Sequence, residues 1–445
     1  MFLQHLQDSA CDSNDRHEAV NILHRLDCYT SELRVQLDVV LDRRLVQTFF
    51  NLAAIILMFR ERRMGLLLSE LGSYLCGSGK GPAGTKRLSN LLRSKKWTSK
   101  FIDDYFFAQA MQGVTELTQA GKRALLLWDD SRVEKHESWV CEGLCSVWSS
   151  KAKRLTRMRP GYYRPPKERI CVPGIEWSAV FLSALGQPPR VAQMTWWTSR
   201  GKYKEDPDNI IWRLLRKIAQ QVSHPVLHVF DRGYASEKMI RYLLHFEQDF
   251  LIRWRKNVYL LYEQQRLRID QISRKTKPRF CRTIYDKERK KTRRISIGWT
   301  QLAHPDHIHK TLTLIVVRNI KHAGGPMYLL CSLNIHTAAI AWEMVTTYAH
   351  RWEAEQGFRF LKSEMGIESP RLWFWDNRLK LMAIVTLVYD FLLQTLRQHR
   401  EWVMALFRRW CHRTGERYRL ASVPLYRLRL AISACLFSLW AQSSG

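Results

Sequence analysis

The longest helical pattern in the chain covers residues 338–366. This stretch has no proline and its one internal glycine is Gly357, so it predicts a single long helix. Four polar residues stand 3, 4 and 7 positions apart within it, which places them within about 60° of one helix face. They are Tyr348, Arg351, Glu355 and Lys362. The competing interpretation of this stripe is an ion-paired, solvated face.

The middle of the chain alternates apolar runs with amphipathic segments. The runs predict strands at 124–131, 177–185, 190–199, 225–233 and 249–255, and the amphipathic segments predict helices at 206–221 and 236–246. The order strand, hairpin, helix, strand, helix, strand predicts an α/β fold with a mixed sheet.

The regions that flank this alternating part have other residue patterns. Residues 1–118 predict helices at 31–45 and 48–68, a Gly/Ser-rich joint at 76–84 and a basic segment at 85–100. That basic segment fits either a helix-turn-helix-like DNA binder or a plain surface helix. Residues 258–335 predict short strands at 294–299, 311–317 and 327–333, and residues 371–445 predict helices at 376–397 and 402–413 followed by a basic tail. We therefore divide the chain at 118, 257, 335 and 370.

Acidic residues follow two of the predicted buried strands. Asp129 and Asp130 end the first run, and Asp231 ends the run at 225–233. The carboxyl ends of strands in open sheets are where ligands bind, so these acids are candidate site residues together with Glu355. Taken singly, each aspartate could equally be a turn or cap residue.

The charge of the chain points to a polyanionic partner. Lys and Arg number 71 against 41 Asp and Glu, which gives a formal net charge of +30. Two segments concentrate this charge: residues 151–169 hold eight Lys/Arg with one Glu, and residues 274–294 hold eleven Lys/Arg with two acids. Basic residues interleaved with aromatics suit a nucleic-acid backbone. A ribosomal-type binder and a membrane-surface protein are the alternatives.

Cysteines and apolar runs bear on the compartment. The ten cysteines lack the paired spacing of a zinc site, which favours reduced thiols and a cytoplasmic protein. The first fifteen residues do not have the pattern of a signal peptide, and the apolar runs at 49–59 and 381–393 are short for a bilayer. We therefore expect no membrane partner.

Three converging carboxylates would suit a pair of divalent metal ions. Asp129 (or Asp130), Asp231 and Glu355 offer oxygen ligands of the kind that Mg²⁺ or Mn²⁺ prefers, and two such ions can cut a phosphodiester. Arg351 and Lys362 would neutralise phosphate charge, and Tyr348 could hydrogen-bond a phosphate oxygen.

The pattern Tyr-x2-Arg-x3-Glu-x6-Lys with two strand-end aspartates resembles the DDE transposases of bacterial insertion sequence family four. Tyr348, Arg351, Glu355 and Lys362 match its spacing, and Asp231 in Phe-Asp-Arg-Gly-Tyr matches its second acid. A Thr or Ser two residues after the first acid is usual in that family, which favours Asp129 over Asp130.

The resemblance implies a ribonuclease H-like core over 119–257 and 336–370, a β-rich insertion over 258–335, a DNA-end-binding domain over 1–118 and a C-terminal helical region over 371–445. It also implies binding to terminal inverted repeats, dimerisation on DNA, a hairpin intermediate and joining to target DNA. An aromatic residue of the insertion would hold a flipped base, for which Trp299 is a candidate. In a bacterial cell such a protein would be cytoplasmic and associated with the nucleoid when bound to DNA.

Two other functions compete with a transposase that uses two Mg²⁺ or Mn²⁺ ions. One is a sequence-specific DNA-binding protein with an unused acidic site. The other is a ribonuclease H-like nuclease that cuts DNA and does not join it. Converging carboxylates argue against the first, since binding alone does not require them.

Overall fold

A computed structural model describes residues 13–59, 65–138, 140–152, 155–166, 169–286, 291–319, 325–411 and 424–443. In these residues a mixed sheet is preceded and followed by helices, which confirms the predicted α/β class.

The helices are α1 (Ser13–Tyr29), α2 (Ser31–Val40), α3 (Arg43–Met58), α4 (Leu68–Cys76), α5 (Gly81–Arg93), α6 (Lys100–Gln119), α7 (Pro207–Gln221), α8 (Glu237–His245), α9 (Ile269–Lys275), α10 (Ala338–His350), α11 (Trp352–Ser363), α12 (Trp375–Gln398), α13 (Arg400–Trp410) and α14 (Pro424–Ser443). The strands are β1 (Ala124–Glu134), β2 (Cys145–Trp148), β3 (Cys171–Ser183), β4 (Arg190–Trp197), β5 (Val226–Phe230), β6 (Asp249–Trp254), β7 (Tyr259–Tyr262), β8 (Gln265–Arg268), β9 (Phe280–Asp286), β10 (Lys291–His304), β11 (His307–Asn319) and β12 (Met327–Cys331).

The described strands belong to one sheet of 12 strands. Its main path runs β2-β3-β1-β5-β6-β12-β11-β10-β7-β8, with β4 beside β3 and β9 beside β10. The pairs β1–β5 and β5–β6 are parallel, and the other pairs are antiparallel. The strands between 259 and 331 therefore extend the central sheet and do not form a sheet of their own.

Alternation along β1 divides the apolar core into two layers. Leu125 and Leu127 pack with α10, α11 and α12 on one face, whereas Leu126 and Trp128 pack with α7 and α8 on the other. Successive strand residues point to opposite faces. The same rule must apply to the acids that follow at 129 and 130.

The register of the parallel pair brings two strand ends together. Leu127 of β1 lies opposite Val229 of β5, so Asp129 and Asp231 come two residues later at the same edge. Buried His228 reinforces this pairing, because Trp128 Nε1 donates to its Nδ1 at 2.9 Å and its Nε2 lies 3.1 Å from Gln248 Oε1. Burial lowers the pKa of His228 to about 4, so this histidine is neutral at pH 7.

The N-terminal helices share a core with the sheet. The carboxylate of buried Asp390 on α12 accepts from Tyr29 Oη at 2.8 Å and from the Val191 backbone nitrogen at 2.6 Å. The predicted helix at 31–45 ends at Val40, because Asp42 caps a new helix by accepting from the nitrogens of Arg44 and Leu45. Residues 60–64, inside the predicted helix 48–68, lie outside the described residues.

Helix α12 lies in the centre of the helical layer. By length and composition it could cross a membrane, but 89% of its most apolar window is buried inside the fold, as in the core helix of a globular protein. Helix α14, in the segment predicted as a basic tail, is another helix packed in this layer. Its apolar residues, such as Leu428 and Ile432, were a signal that could have predicted it.

The prediction of one continuous helix over 338–366 is wrong. Helix α10 ends at His350 and α11 begins at Trp352, with Arg351 between them. The junction is a tighter turn in which the Arg351 nitrogen donates to Tyr348 O and the Ala354 nitrogen donates to Arg351 O. No proline or glycine marks this break. It coincides with the residue whose side chain pairs with acids on two different elements.

Candidate active site

Asp129 lies buried on the face of the sheet that carries α10 and α11. Its Oδ2 atom is 3.4 Å from Arg351 Nη1, and its Oδ1 accepts from the Asp130 backbone nitrogen at 3.1 Å. The strand alternation therefore directs Asp129 towards the helical stripe predicted from the sequence.

Asp130 points to the opposite face. Desolvation by the surrounding protein raises the pKa of Asp130, and the nearby hydroxyl groups of Ser178 and Tyr234 oppose this rise. The side chain remains accessible to solvent along a cleft. Asp130 thus has its own local partners and is not ion-paired to Arg351.

Asp231 follows β5 and caps a short 3₁₀ turn. Its Oδ1 atom accepts from the Gly233 nitrogen at 2.6 Å, which fixes the direction of the carboxylate. A Cβ atom at residue 233 would lie 2.8 Å from that same oxygen. Glycine at 233 therefore leaves room for the Asp231 carboxylate.

Arg351 joins two of the predicted acids. Its Nη2 atom contacts Glu355 Oε1 one helical turn on, while Nη1 lies beside Asp129. Its side chain is only 9% exposed, and its Nε and Nη1 atoms have no hydrogen-bond partner in the described residues. The ion pairs raise the pKa of Arg351, so it stays charged. A buried guanidinium with N–H groups that make no hydrogen bond can donate to further oxygen atoms.

The three predicted acids interact electrostatically. The pKa of Asp129 is raised to about 7, chiefly because the carboxylate is buried and in smaller part because of the negative charges of Glu355, Asp231 and Asp130. The positive charge of Arg351 opposes this rise and does not outweigh it. Burial of Asp129 therefore outweighs the ion pair that Arg351 makes with it.

Lys362 and Tyr348 occupy the two ends of the stripe. Burial lowers the pKa of the Lys362 ammonium, and the negative charges of Glu368 and Glu134 oppose this shift. Tyr348 is buried, and the Arg351 Cζ atom lies 5.7 Å from its ring centroid. Lys362 thus interacts with Glu134 of β1 and with Glu368, whereas Arg351 interacts with Asp129 and Glu355.

A cleft of about 880 Å³ opens at this edge of the sheet. Three acids line it, Asp129, Asp130 and Asp231, together with six basic residues, Arg132, Arg169, Arg232, Arg253, Arg255 and Lys256. Acids at the floor of a strongly basic cleft suit a phosphate-bearing ligand.

The donor chemistry of the site fits a hard divalent cation. Asp129, Asp231 and Glu355 offer carboxylate oxygens, the ligands that Mg²⁺ and Mn²⁺ prefer. In the part of the chain that the structure describes, however, no three His, Cys, Asp or Glu side chains are grouped closely enough to hold a metal ion. Arg351 lies between two of the carboxylates and supplies the positive charge there.

Trp299, predicted to stack on a flipped base, lies on β10. Its ring stacks on Phe280 at a centroid distance of 5.2 Å and an interplanar angle of 19°, and it is only partly exposed. It does not line the cleft that holds the acids.

A second polar groove lies in the N-terminal region. Helices α4 and α5 form a tight hairpin, since a Cβ atom on Gly84 would lie 2.0 Å from Gly72 O. Lys86, Asn90 and Arg93, from the predicted basic segment, line a groove of about 610 Å³ between these helices. The predicted Gly/Ser joint is thus largely a helix-packing element.

Sequence reasoning missed the side chains that complete the cleft. Arg132 was detectable, because it lies three residues beyond Asp129 on the same strand. Trp148 was not, because β2 has only 4 residues and no marked pattern. Arg253 and Arg255 follow the apolar run of β6, a position that pattern alone does not mark as functional.

The comparisons with known proteins agree with part of this assignment. Residues 202–391 match the family model described as "Transposase DDE domain". This segment contains Asp231 and the stripe from Tyr348 to Lys362, and it begins after Asp129. The match supports a DDE transposase.

Two other comparisons add little. A structure described as "Cryo-EM structure of piggyBac transposase synaptic complex with hairpin DNA (SNHP)" matches over 99% of this chain and 81% of that chain, with 11% sequence identity and a TM-score of 0.41. A likeness of this size is too small to bear on fold or activity. No curated protein matches the chain.

Proposed function

We propose that this protein is a DNA transposase that cuts the ends of a mobile element and joins them to target DNA. The observation that carries the proposal is the meeting of Asp129, Arg351 and Glu355, from a strand and a helix junction more than two hundred residues apart, beside Asp231. The transposase-domain match over residues 202–391 supports it.

Asp129, Asp231 and Glu355 would hold two Mg²⁺ or Mn²⁺ ions. Such ions activate a water molecule and stabilise the leaving 3′ oxygen of a phosphodiester. Arg351 would then have to release Asp129 and Glu355. Its Nε and Nη1 atoms, which donate no hydrogen bond in the described residues, would then donate to phosphate oxygens of the DNA.

The remaining residues of the stripe would orient the phosphate backbone. Lys362 supplies a second cation about two helical turns beyond Glu355. Tyr348 offers a hydroxyl group on the ring that lies 5.7 Å from the Arg351 Cζ atom. Neutralising the charge that develops on the scissile phosphate is the main protein contribution to such a reaction.

The finer features remain proposals. They are a ribonuclease H-like core, transposition of a bacterial insertion sequence by cut and paste through a hairpin intermediate, action as a homodimer on terminal inverted repeats, and a base-stacking role for Trp299. The groove lined by Lys86, Asn90 and Arg93 supports a DNA-binding role for the N-terminal region.

A DNA-binding protein without catalysis is the second candidate. One observation favours it: Arg351 already compensates Asp129 and Glu355, and the described residues hold no ready three-ligand metal site. Such a protein would need the basic cleft and would not need the acids.

Nicking of plasmid DNA distinguishes these candidates. The substrate is a supercoiled plasmid that carries the DNA flanking the gene, incubated with the full chain and Mg²⁺. We expect nicking that Asp231→Asn and Glu355→Gln abolish while DNA binding persists. Glu401→Gln, which changes an exposed glutamate in the first turn of α13, is the control and should nick normally. Continued nicking by both acid variants would refute the catalytic assignment.

Pre-cleaved ends separate joining from cutting. Double-stranded oligonucleotides with exposed 3′ hydroxyl groups are supplied together with a target plasmid. A transposase produces joined products, which sequencing identifies. Nicking without any joined product would identify a nuclease instead.

A further inference from the structure

Two consecutive side chains attach the junction between α10 and α11 to the sheet. Arg351 reaches Asp129 of β1, and the preceding residue, His350, reaches the end of β3. The Nε2 atom of His350 lies 2.8 Å from the Oγ atom of Ser183. The proposed reaction uses Arg351 and gives His350 no part, although both residues belong to the same junction.

Ser183 is a well-held attachment point. It is buried, and its hydroxyl group also contacts Gln187 O, in the turn that leads to β4, at 3.2 Å. On β3, Phe181 packs in the layer of α10 and α11, whereas Leu182 packs in the other layer. The alternation of the strand therefore places Ser183 on the face that also carries Asp129.

The two attachment points are well separated along the sheet. Ser183 pairs with Leu125 of β1, and Asp129 follows Leu125 by four residues on that strand. Four strand residues span about 13 Å. The Cα atoms of His350 and Arg351 are only about 3.8 Å apart, so their side chains extend in different directions. One attachment would let the junction rotate about it, whereas two attachments this far apart fix its direction.

The junction is also where the chain crosses from one part of the sheet to another. Helix α10 packs against β5, β6 and β10, whereas α11 packs against β1. The turn between the two helices contains neither proline nor glycine. The placement of Arg351 over β1 therefore depends on tertiary contacts of the junction, among them the contact between His350 and Ser183.

The contact between His350 and Ser183 does not depend on the charges of the site. Burial lowers the pKa of His350, so the ring is neutral at pH 7. In the proposed reaction Arg351 leaves Asp129 and Glu355 for phosphate oxygens. Neither of those acids takes part in the contact with Ser183, which therefore persists while the partners of Arg351 change.

We propose that His350 is a positioning residue for Arg351. Through Ser183 it holds the junction in place while the guanidinium exchanges Asp129 and Glu355 for the phosphate oxygens of DNA. The inference rests on the proposed function and adds a residue to it. Without this second attachment, loss of the ion pairs would free the junction, and displacement of a contacting group by about 1 Å can cost about a hundredfold in rate.

A double-mutant cycle in DNA binding tests whether His350 acts through Arg351. A fluorescein-labelled duplex with the DNA that flanks the gene is titrated with the full-length chain in EDTA, and fluorescence anisotropy gives the dissociation constant. We expect Arg351→Ala to weaken binding about 10- to 150-fold, as for a lost hydrogen bond between charged groups. His350→Leu keeps the bulk of the side chain without its nitrogen atoms and should weaken binding about 3- to 10-fold, because the phosphate contact is weakened and not lost. Added to Arg351→Ala, His350→Leu should change the constant less than about twofold.

Three further variants separate positioning from a general loss of structure. Ser183→Ala removes the other partner and should weaken binding as His350→Leu does, without adding to it in the double variant. His350→Gln carries an amide in place of the ring nitrogen and should restore most of the binding. Thr346→Val is the matched control, because the Thr346 hydroxyl group donates to Trp342 O within α10 and not to the sheet. It should leave the constant unchanged.

Equal losses from His350→Leu in the wild-type chain and in Arg351→Ala would overturn the inference, because the effect would not pass through Arg351. No loss for His350→Leu and Ser183→Ala at an unchanged melting temperature would overturn it too. If His350→Leu lowers the melting temperature, Ser183→Ala takes its place in the cycle, since it removes a single oxygen atom.

The cycle is independent of the nicking assay, because it needs neither metal nor cleavage. A chain that gives the expected cycle and does not nick DNA would keep His350 as a positioning residue and refute the proposed cutting. An Arg351→Ala variant that binds DNA as tightly as the wild-type chain would refute both the role of Arg351 and this inference.

Discussion

Two neighbouring aspartates lie in different environments on the two faces of β1. On the face that carries α10 and α11, Asp129 is buried, ion-paired to Arg351 and repelled by Glu355 and Asp231. On the opposite face, Asp130 lies near the hydroxyl groups of Ser178 and Tyr234. The alternation of a strand separates two identical side chains that are adjacent in sequence.

The difference shows which acid can act with remote partners. The Asp129 face gathers charge from three separate segments of the chain and leaves some of it uncompensated. On the Asp130 face, burial raises the pKa of the acid, and the nearby hydroxyl groups of Ser178 and Tyr234 lower it in part. We therefore propose Asp129 as the catalytic acid and expect Asp130 to be less important for activity.

Replacement of each aspartate by asparagine should give the largest difference between the two faces of β1. Asp129→Asn should lower the rate of Mg²⁺-dependent nicking by about 10²–10³-fold or more, because it removes charge where the reaction needs it. Asp130→Asn should lower the rate less than about tenfold, because Asp130 is not ion-paired to Arg351. Initial nicking rates measure both effects. Equal losses would show that the two faces do not differ in function.

Removal of the guanidinium tests the charge balance on the Asp129 face. Arg351→Ala leaves two carboxylates without a buried counter-ion and should lower the free energy of unfolding by up to about 3–5 kcal/mol in EDTA. Arg351→Lys keeps the charge and should lose less. Urea unfolding measures both variants, and Mn²⁺ should restore part of the stability lost in Arg351→Ala. An unchanged stability in Arg351→Ala would mean that the ion pairs contribute little.

His228 holds together the strands that bear both aspartates, and it should make stability depend on pH. Its folded-state pKa is about 4 and its unfolded value is about 6.5, so the unfolded chain binds the extra proton between these values. The stabilisation that comes from keeping His228 neutral is therefore fully present above pH 6.5. As the pH drops to 4, this effect should lower the free energy of unfolding by about 3 kcal/mol.

The control for this prediction is His228→Gln, which cannot take up the proton. The wild-type chain and the variant should lose different amounts of stability between pH 7 and pH 4.5 in urea unfolding. Parallel losses would show that His228 does not remain neutral in the folded protein.

Gly233→Ala should give the smallest effect, and it tests whether the position of the Asp231 carboxylate matters for nicking. The added methyl group would displace the Oδ1 atom of that carboxylate and not the backbone, so nicking should fall about tenfold with little change in melting temperature. Gly79→Ala, at a helical-turn glycine with open space around it, should change neither quantity. A loss of stability without a loss of nicking would contradict the assigned role of Gly233.

The sequence predicted the parts of the fold that depend on local pattern. Apolar runs placed β1, β5 and β6, and the turn residues between β3 and β4 predicted their hairpin. The alternation of residues in β1 also contained the distinction between Asp129 and Asp130. It could be applied only once the position of α10 and α11 on one face of the sheet was known.

Other features depend on contacts between distant segments. The break at Arg351 has no sequence marker, because it is associated with ion pairs to Asp129 and Glu355. The addition of β7 to β12 to the central sheet depends on the pairing of β6 with β12, which are over seventy residues apart. The clustering of Trp148 with Arg169 depends likewise on tertiary placement.

The most direct test of the central claim is to map the metal site chemically. Fe²⁺ takes the place of Mg²⁺, and ascorbate with peroxide then generates radicals that cut the polypeptide next to the bound ion. A metal site shared by the three acids should give cuts near residues 129, 231 and 355 that excess Mg²⁺ suppresses. These cuts should disappear in Asp129→Asn and persist in Asp130→Asn. Cuts near only one of the three residues, or cuts that Mg²⁺ does not suppress, would contradict a shared metal site.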